Sequence, residues 1–88
     1  MKILKFGEED CPGCKIMKPL FEEIETENPT LQTEYHEVEK SADLVKKYNI
    51  EHVPTFVFID KDGNELTRMI DVHEREKVME NIEKYKDR

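Results

Sequence analysis

Apolar positions along the chain change their spacing several times, and each change marks an element. Ile3-Leu4-Lys5-Phe6 suits a short buried strand that stops at Gly7, with Glu8-Glu9-Asp10 forming the turn after it. Beyond Asp10, a good N-cap residue, Ile16, Met17, Leu20, Phe21 and Ile24 recur with a period of about 3.6 residues, which predicts a helix ending before Asn28-Pro29. Pro12 falls in its first turn, where a missing N–H costs nothing, while Pro19 falls inside it and is expected to kink it. Thr33-Glu34-Tyr35-His36-Glu37-Val38 alternates weakly and reads as a second strand, placed near a sheet edge by its charges. Ser41 can cap a short helix in which Ala42, Leu44, Val45 and Tyr48 share a face and which Asn49 ends. Thr55-Phe56-Val57-Phe58-Ile59 is the most β-prone segment. The turn residues Asp60-Lys61-Asp62-Gly63-Asn64 and then Glu65 to Ile70 complete a hairpin with it. A closing amphipathic helix from about His73 to Tyr85 carries Val78, Met79, Ile82 and Tyr85 on one side.

The order β-α-β-α-β-β-α, without repeats or low-complexity linkers, predicts an α/β sheet with helices on its faces. With 88 residues the chain is read as one domain, 1–88. Leu, Ile, Val and Phe supply 22 of those residues, enough to line one small core although 40% of the chain is charged. The net charge of -7 is spread along the chain, so the basic face that phosphate contacts require is missing and nucleic-acid binding is not expected. The longest apolar run, Phe56 to Ile59, is far short of the roughly 20 residues of a membrane span. Met1 to Lys5 reads as strand and not as a secretory signal, so a soluble protein in a reducing cytoplasmic setting is expected. There, two cysteines point to redox catalysis or metal binding before a structural staple.

Those cysteines stand as Cys11-Pro12-Gly13-Cys14, at the junction of the first strand and the first helix. Residues three apart on a helix share a face, which allows the sulfurs to be bridged at Cα separations of roughly 4.4 to 6.8 Å. At the helix N-terminus, unpaired backbone N–H groups and the positive end of the macrodipole favour the Cys11 thiolate, the nucleophilic form. Cys14, one turn deeper, is expected to be the less exposed of the two and to keep its proton until needed. Lys15 and Lys18 favour the Cys11 thiolate, whereas Glu8, Glu9 and Asp10 oppose it.

With these residues in place the chain resembles the thioredoxin superfamily, over nearly its whole length. Pro19 lies five residues after the second cysteine, where that family keeps a helix-kinking proline, and Lys15 follows the cysteine as it often does there. Tyr48-Asn49-Ile50, then Val53-Pro54-Thr55 and the apolar strand, look like the family's segment leading to its cis-proline. The resemblance implies the minimal thioredoxin fold, a four-stranded mixed sheet with three helices. It also implies a cis Val53-Pro54 peptide facing the cysteines, with the Val53 backbone left to pair with a substrate strand. Pro12, Gly13, Val53, Pro54 and Asp71 would bound the substrate groove.

The sequence departs from both main branches. Phe6-Gly7, three acidic residues and Cys11-Pro12 look like a glutaredoxin, but the Gly-Gly pair that helps glutaredoxins hold glutathione is missing from the stretch Asp62-Gly63-Asn64-Glu65-Leu66. Thioredoxins usually have Trp where Asp10 stands, Gly-Pro where Pro12-Gly13 stands, a buried acid where Lys5 stands and a glycine where Asp71 stands. The nearest likeness is to short, glutaredoxin-sized proteins with thioredoxin-like activity found in archaea, bacteria and phages.

The function implied is a thiol-disulfide oxidoreductase, a protein-disulfide reductase with Cys11 as nucleophile and Cys14 as resolving thiol. It would need no bound cofactor, act as a monomer on disulfide-containing proteins, and be restored by a thioredoxin-reductase-type enzyme. Alternatives are a glutaredoxin-like donor using glutathione, a zinc or copper module on the same thiolates, and a docking subunit with incidental thiols. Tetrahedral zinc needs four ligands, and the chain has no second Cys pair. His52 is either a proton carrier near the cysteines or a solvated loop residue, while His36 and His73 carry no functional reading. Lys5 either pairs with Glu37 on the neighbouring strand or reaches the sheet edge, and Met17, Phe21 and Phe56 are read as core.

Overall fold

In a computed structural model, which describes residues 1–71 and 73–88, seven elements succeed one another. They are strand β1 (Lys2–Gly7), helix α1 (Pro12–Glu27), strand β2 (Gln32–Glu37), helix α2 (Ala42–Lys47), strands β3 (Thr55–Ile59) and β4 (Glu65–Ile70), and helix α3 (Arg75–Tyr85). The strands form one sheet in the order β2-β1-β3-β4. β1 runs parallel to β2 and antiparallel to β3, and β3 pairs antiparallel with β4, so the sheet is mixed as expected. β2, the most charged strand, lies on an edge.

Alternation along the strands divides the core between the two faces of the sheet. Ile3, Phe56, Phe58 and Met69 face α1 and α3, where they pack with Met17, Phe21, Ile24, Val78 and Ile82. Leu4, Phe6, Val57 and Ile59 face the other way and are covered by α2 and its flanks through Leu44, Val45, Tyr48 and Ile50. Every residue of β3 is buried, which is why that strand reads as an unbroken apolar run and not as an alternating one.

Several boundaries differ from the sequence reading. The N-cap of α1 is Cys11, not Asp10, with Pro12 at the first helical position. Proline's fixed φ suits that position, so Pro12 sets the helix start one residue later than the better capping side chain would. Helix α1 continues through Pro19 to Glu27. Val38 leaves the strand to begin a short 3-10 turn, Val38–Lys40. Ser41 precedes α2 as expected but makes no capping bond with its side chain. Asn49 comes after the helix with φ 51°, the left-handed conformation that asparagine tolerates. Helix α3 starts at Arg75, two residues after His73.

The hairpin is tied back to α2. The Asp60 carboxylate accepts N–H bonds from Asp62 and Asn64 at 2.9 Å each, and Gly63 turns the chain at φ 84°. The Tyr48 hydroxyl donates to the Gly63 carbonyl at 2.9 Å, and Arg68 donates to the Tyr48 carbonyl at 2.6 Å while pairing with Glu65. On the other face, Arg75 of α3 pairs with Glu23 and Glu27 of α1.

Both the core and the hairpin can be probed by mutation. Phe58 is fully buried at the centre of the sheet, so Phe58→Ala should cost about 3–5 kcal/mol in urea unfolding, against less than about 0.5 kcal/mol for an exposed change such as Lys77→Ala. Hydrogen bonds from Arg68 hold the Glu65 carboxyl below its ordinary value of 4.5. A depressed carboxyl contributes stability that is present above its unfolded pKa and lost as pH falls through the lowered value. Glu65→Gln should therefore lower stability at neutral pH, with the difference from wild type shrinking as pH falls through the lowered Glu65 value, which flattens the acid limb of the stability curve.

Candidate active site

The start of α1 brings the two cysteines together. Pro12 and Gly13 make the first turn of the helix, and the Cys11 and Cys14 Cα atoms stand 5.2 Å apart, with the two sulfurs closed as a disulfide. As the N-cap, Cys11 holds extended backbone angles, φ -86° and ψ 113°, and its Sγ accepts the Cys14 backbone N–H at 3.1 Å. The Cys11 sulfur thus takes the place that a serine or aspartate oxygen usually fills. Its own carbonyl accepts the Lys15 N–H at 3.1 Å, which starts the helical ladder. The N–H contact and the helix N-terminus both favour negative charge on Cys11.

Exposure runs against expectation. Cys11 is only 5% exposed, and Cys14 is the more accessible of the two. Residues 3, 5 and 7 of β1 face α1, and the one opposite Cys14 is Gly7. A Cβ built on Gly7 would stand 3.0 Å from Cys14 Sγ and 3.1 Å from the Tyr35 hydroxyl oxygen. Both side chains thus close onto bare backbone, an approach that only glycine permits.

Beside Cys14 lies a cavity of about 650 Å³ between β1, β2 and α1. Among the described residues Cys14 lines it and Cys11 does not, and Gly7, Tyr35, Phe56 and Pro54 form other parts of its wall. Lys5, expected to meet Glu37 if it paired at all, instead reaches Glu25 of α1 at 3.2 Å, while Glu37 pairs with Lys40. The reason is direction: Lys5 points at α1, and its ammonium lies 5.5 Å from the centre of the Phe21 ring. Thr33 donates to the same Glu25 carboxylate at 2.6 Å. A lysine-glutamate-threonine cluster therefore occupies the wall where the family resemblance leads one to expect a lone buried acid. Although the Tyr35 residue as a whole is 57% exposed, its hydroxyl end lies against Gly7, and local desolvation there, with the Glu37 and Glu8 carboxylates adding to it, raises the hydroxyl above its ordinary 10.0.

The remaining candidate residues gather partly around the same cavity. The Val53-Pro54 peptide is cis, and Pro54 is buried in the cavity wall that it shares with Cys14. Asp71 has φ 74° and donates its N–H to the Pro54 carbonyl at 2.8 Å, so the end of β4 is fastened to the proline loop. That left-handed backbone explains why a glycine is usual at this place, and aspartate is among the few residues that tolerate it. His52 is exposed and does not border the cavity, in keeping with a solvated loop residue. Met17, Phe21 and Phe56 are buried in the core as read. Among the described residues, no group of three or more His, Cys, Asp or Glu side chains is gathered to hold a metal ion, and no helix is long and apolar enough to cross a membrane.

Gly7, Glu25 and Tyr35 carry no functional signal in the sequence taken by itself. Glu25 was within reach, because Cys14, Met17, Lys18, Phe21 and Glu25 keep helical spacing along one side of α1. Tyr35 was not, since its place beside Lys5 depends on the parallel β1–β2 register.

Comparison with known proteins gives a consistent result. The family model described as Thioredoxin matches residues 1–84. The chain is 30% identical over 83 residues to Thioredoxin-1 of Caenorhabditis elegans, covering 91% of this chain and 71% of that protein. It is 32% identical over 68 residues to the TPR repeat-containing thioredoxin TDX of Arabidopsis thaliana, covering 77% of this chain. The chain spans only 18% of that relative's length, and 44% of a second Arabidopsis relative, the putative thioredoxin H10. Among solved structures it resembles thioredoxin 1 of Thermosipho africanus with a TM-score of 0.83 and 28% identity, over 99% of this chain and 96% of that one. Each of these is a thioredoxin, which does not favour the glutaredoxin-like alternative.

The ion pair beside Cys14 can be checked by stability. Glu25→Gln leaves a largely buried ammonium without its counter-charge and should cost about 1–2 kcal/mol in urea unfolding. Adding Lys5→Met should recover part of that loss, whereas simple additivity of the two changes would show that the residues are not coupled.

Proposed function

The chain belongs to the thioredoxin family, and from that premise we propose that it is a thiol-disulfide oxidoreductase that reduces disulfides in other proteins through Cys11 and Cys14. The observation that carries this reading is the Cys14 N–H directed at Cys11 Sγ at 3.1 Å from the first turn of α1. A sulfur in that position is stabilised as thiolate by a donor and a dipole that are already oriented before any substrate arrives.

In the reduced protein, Cys11 thiolate attacks one sulfur of a substrate disulfide. A Cys11-to-substrate disulfide forms as the substrate bond breaks, and the departing substrate sulfur takes up a proton. Cys14 then gives up its proton and attacks Cys11 Sγ. This closes the Cys11-Cys14 bond and expels the second substrate thiolate, so two electrons have passed to the substrate. Cys11 is 5% exposed, so a protein substrate must dock closely to present its disulfide to this sulfur. Docking is assigned to the rim made by Pro12, Gly13, the Val53 backbone, Pro54 and Asp71, with the Val53 backbone pairing with an extended substrate segment. The tie from Asp71 to Pro54 at 2.8 Å supports this by holding two parts of the rim in one arrangement. A thioredoxin-reductase-type enzyme restores the dithiol, and the protein works as a monomer in the cytoplasm.

Insulin reduction driven by a thioredoxin-reductase system tests the reading. The wild-type protein should accelerate precipitation of the insulin B chain. Cys11→Ser should bring the rate to background, and Cys14→Ser should accumulate a mixed disulfide visible on a non-reducing gel. Normal turnover by either variant would contradict the mechanism.

A further inference from the structure

The capping bond at the start of α1 serves Cys11, since the Cys14 backbone N–H is given to Cys11 Sγ at 3.1 Å. A charge forming on Cys14 needs a donor from elsewhere. The parallel register sets Tyr35 of β2 beside Lys5 of β1, and its hydroxyl end reaches Gly7. A Cβ added to Gly7 would lie 3.0 Å from Cys14 Sγ and 3.1 Å from the Tyr35 hydroxyl oxygen, so the sulfur and the phenol meet the same patch of bare backbone. Both also line the cavity beside the disulfide. We propose that the Tyr35 hydroxyl is a catalytic residue of the resolving step, donating a hydrogen bond to Cys14 Sγ as that sulfur takes on charge. The proposal rests on the redox reading above and adds to it a residue which that reading leaves unused.

The other polar groups around the cavity are engaged, exposed or of the wrong sign. Glu25 holds the Lys5 ammonium at 3.2 Å, and the Thr33 hydroxyl donates to the same carboxylate at 2.6 Å. Lys15 and Lys18 of α1 are exposed, where salt and water screen them. Glu8 and Glu9 after β1, Glu22 and Glu25 on α1, and Glu37 at the end of β2 all oppose a thiolate. An uncharged donor able to touch the sulfur is what the site offers against them. Desolvation and the Glu37 and Glu8 carboxylates hold the hydroxyl above 10.0, higher than the roughly 8.5 of a free thiol, so it keeps its proton where Cys14 loses one. With 57% of the residue exposed, the ring has room to follow the sulfur once the disulfide opens.

In the mixed disulfide, Cys14 gives its proton to solvent at the cavity and the Tyr35 O–H bond stays intact. The Cys14 thiolate bonds to Cys11 Sγ, the Cys11-substrate bond breaks, and its electron pair leaves on the substrate sulfur. In the reverse direction, attack on Cys11 of the oxidised pair expels Cys14, and the same hydrogen bond makes Cys14 the better leaving group. Losing that bond should raise the Cys14 pKa by about one unit. Below its midpoint the thiolate then becomes about tenfold scarcer but about threefold more nucleophilic, so the resolving step slows about threefold. Above the midpoint only the gain in nucleophilicity remains, and the step runs about threefold faster.

The test mixes reduced wild-type protein and Tyr35→Phe with dithiobis(nitrobenzoate) in a stopped-flow instrument across a pH series. The first nitrothiobenzoate released reports attack by Cys11, and the second reports closure by Cys14. The second-release curves of the two proteins should cross, the variant being about threefold slower on the acid side and about threefold faster on the alkaline side, while the first release is unchanged. Second-release curves that coincide, or that differ without crossing, would overturn the proposal and leave the redox function standing. Absence of a second release from the wild-type protein would overturn both. Folding of the variant is checked by circular dichroism. Should it not fold, carbon NMR of the reduced wild-type protein decides: the Tyr35 Cζ resonance should move as Cys14 ionises, and a resonance that moves only when the phenol itself titrates would overturn the proposal.

Discussion

A single contact, the Cys14 backbone N–H against Cys11 Sγ, is both structural and chemical. An α-helix begins with N–H groups that its own ladder leaves unpaired, and ordinarily an oxygen of the preceding side chain accepts one of them. Here a sulfur does so. The bond that starts α1 is therefore also the interaction that favours a thiolate at Cys11, and the same group is made a better nucleophile and a better leaving group. Pro12 at the first helical position fixes where the helix starts, and hence which residue is the cap. One proline thus decides which of the two sulfurs carries the charge.

The sheet supplies the second constraint. Because neighbouring residues of a strand face opposite ways, β1 presents Ile3, Lys5 and Gly7 to α1 while Leu4 and Phe6 close the core beneath α2. The three residues on the α1 side form a gradient from buried apolar, to a paired ammonium, to bare backbone at the cysteines. Glu25 holds Lys5 on this side, and the parallel β1–β2 register sets Tyr35 alongside it. The environment of Cys14 is thus built from a strand, a helix and an edge strand without a lone buried carboxylate. It leaves that sulfur partly open, while the capping sulfur is covered.

Much of this was legible in the amino-acid order. The period of α1 was visible in Met17, Phe21 and Ile24, the central strand in the unbroken run Thr55 to Ile59, and the edge position of β2 in its charges, since each pattern reflects how many of an element's faces are buried. The pairing of the cysteines was legible in their helical spacing. The cap was mistaken because Asp10 is the better capping side chain in isolation, although Pro12 next to Cys11 already carried the stronger positional signal. The partner of Lys5 and the exposure of Cys14 depend on which face of β1 meets α1. That is a tertiary fact, and no local pattern contains it. Asp71 lies between: its standing at a place where thioredoxins usually have glycine was readable by family resemblance, while the φ of 74° that explains it appears only in the fold.

The central claim, that the helix start lowers the proton affinity of Cys11 and not of Cys14, is tested most directly by alkylating the fully reduced protein with iodoacetamide across a pH series and identifying the modified residue at each point. Cys11 should react first, with an apparent pKa well below the roughly 8.5 of a free thiol, and Cys14 only at higher pH. Reaction of Cys14 first, or of both cysteines together near the free-thiol value, would contradict it.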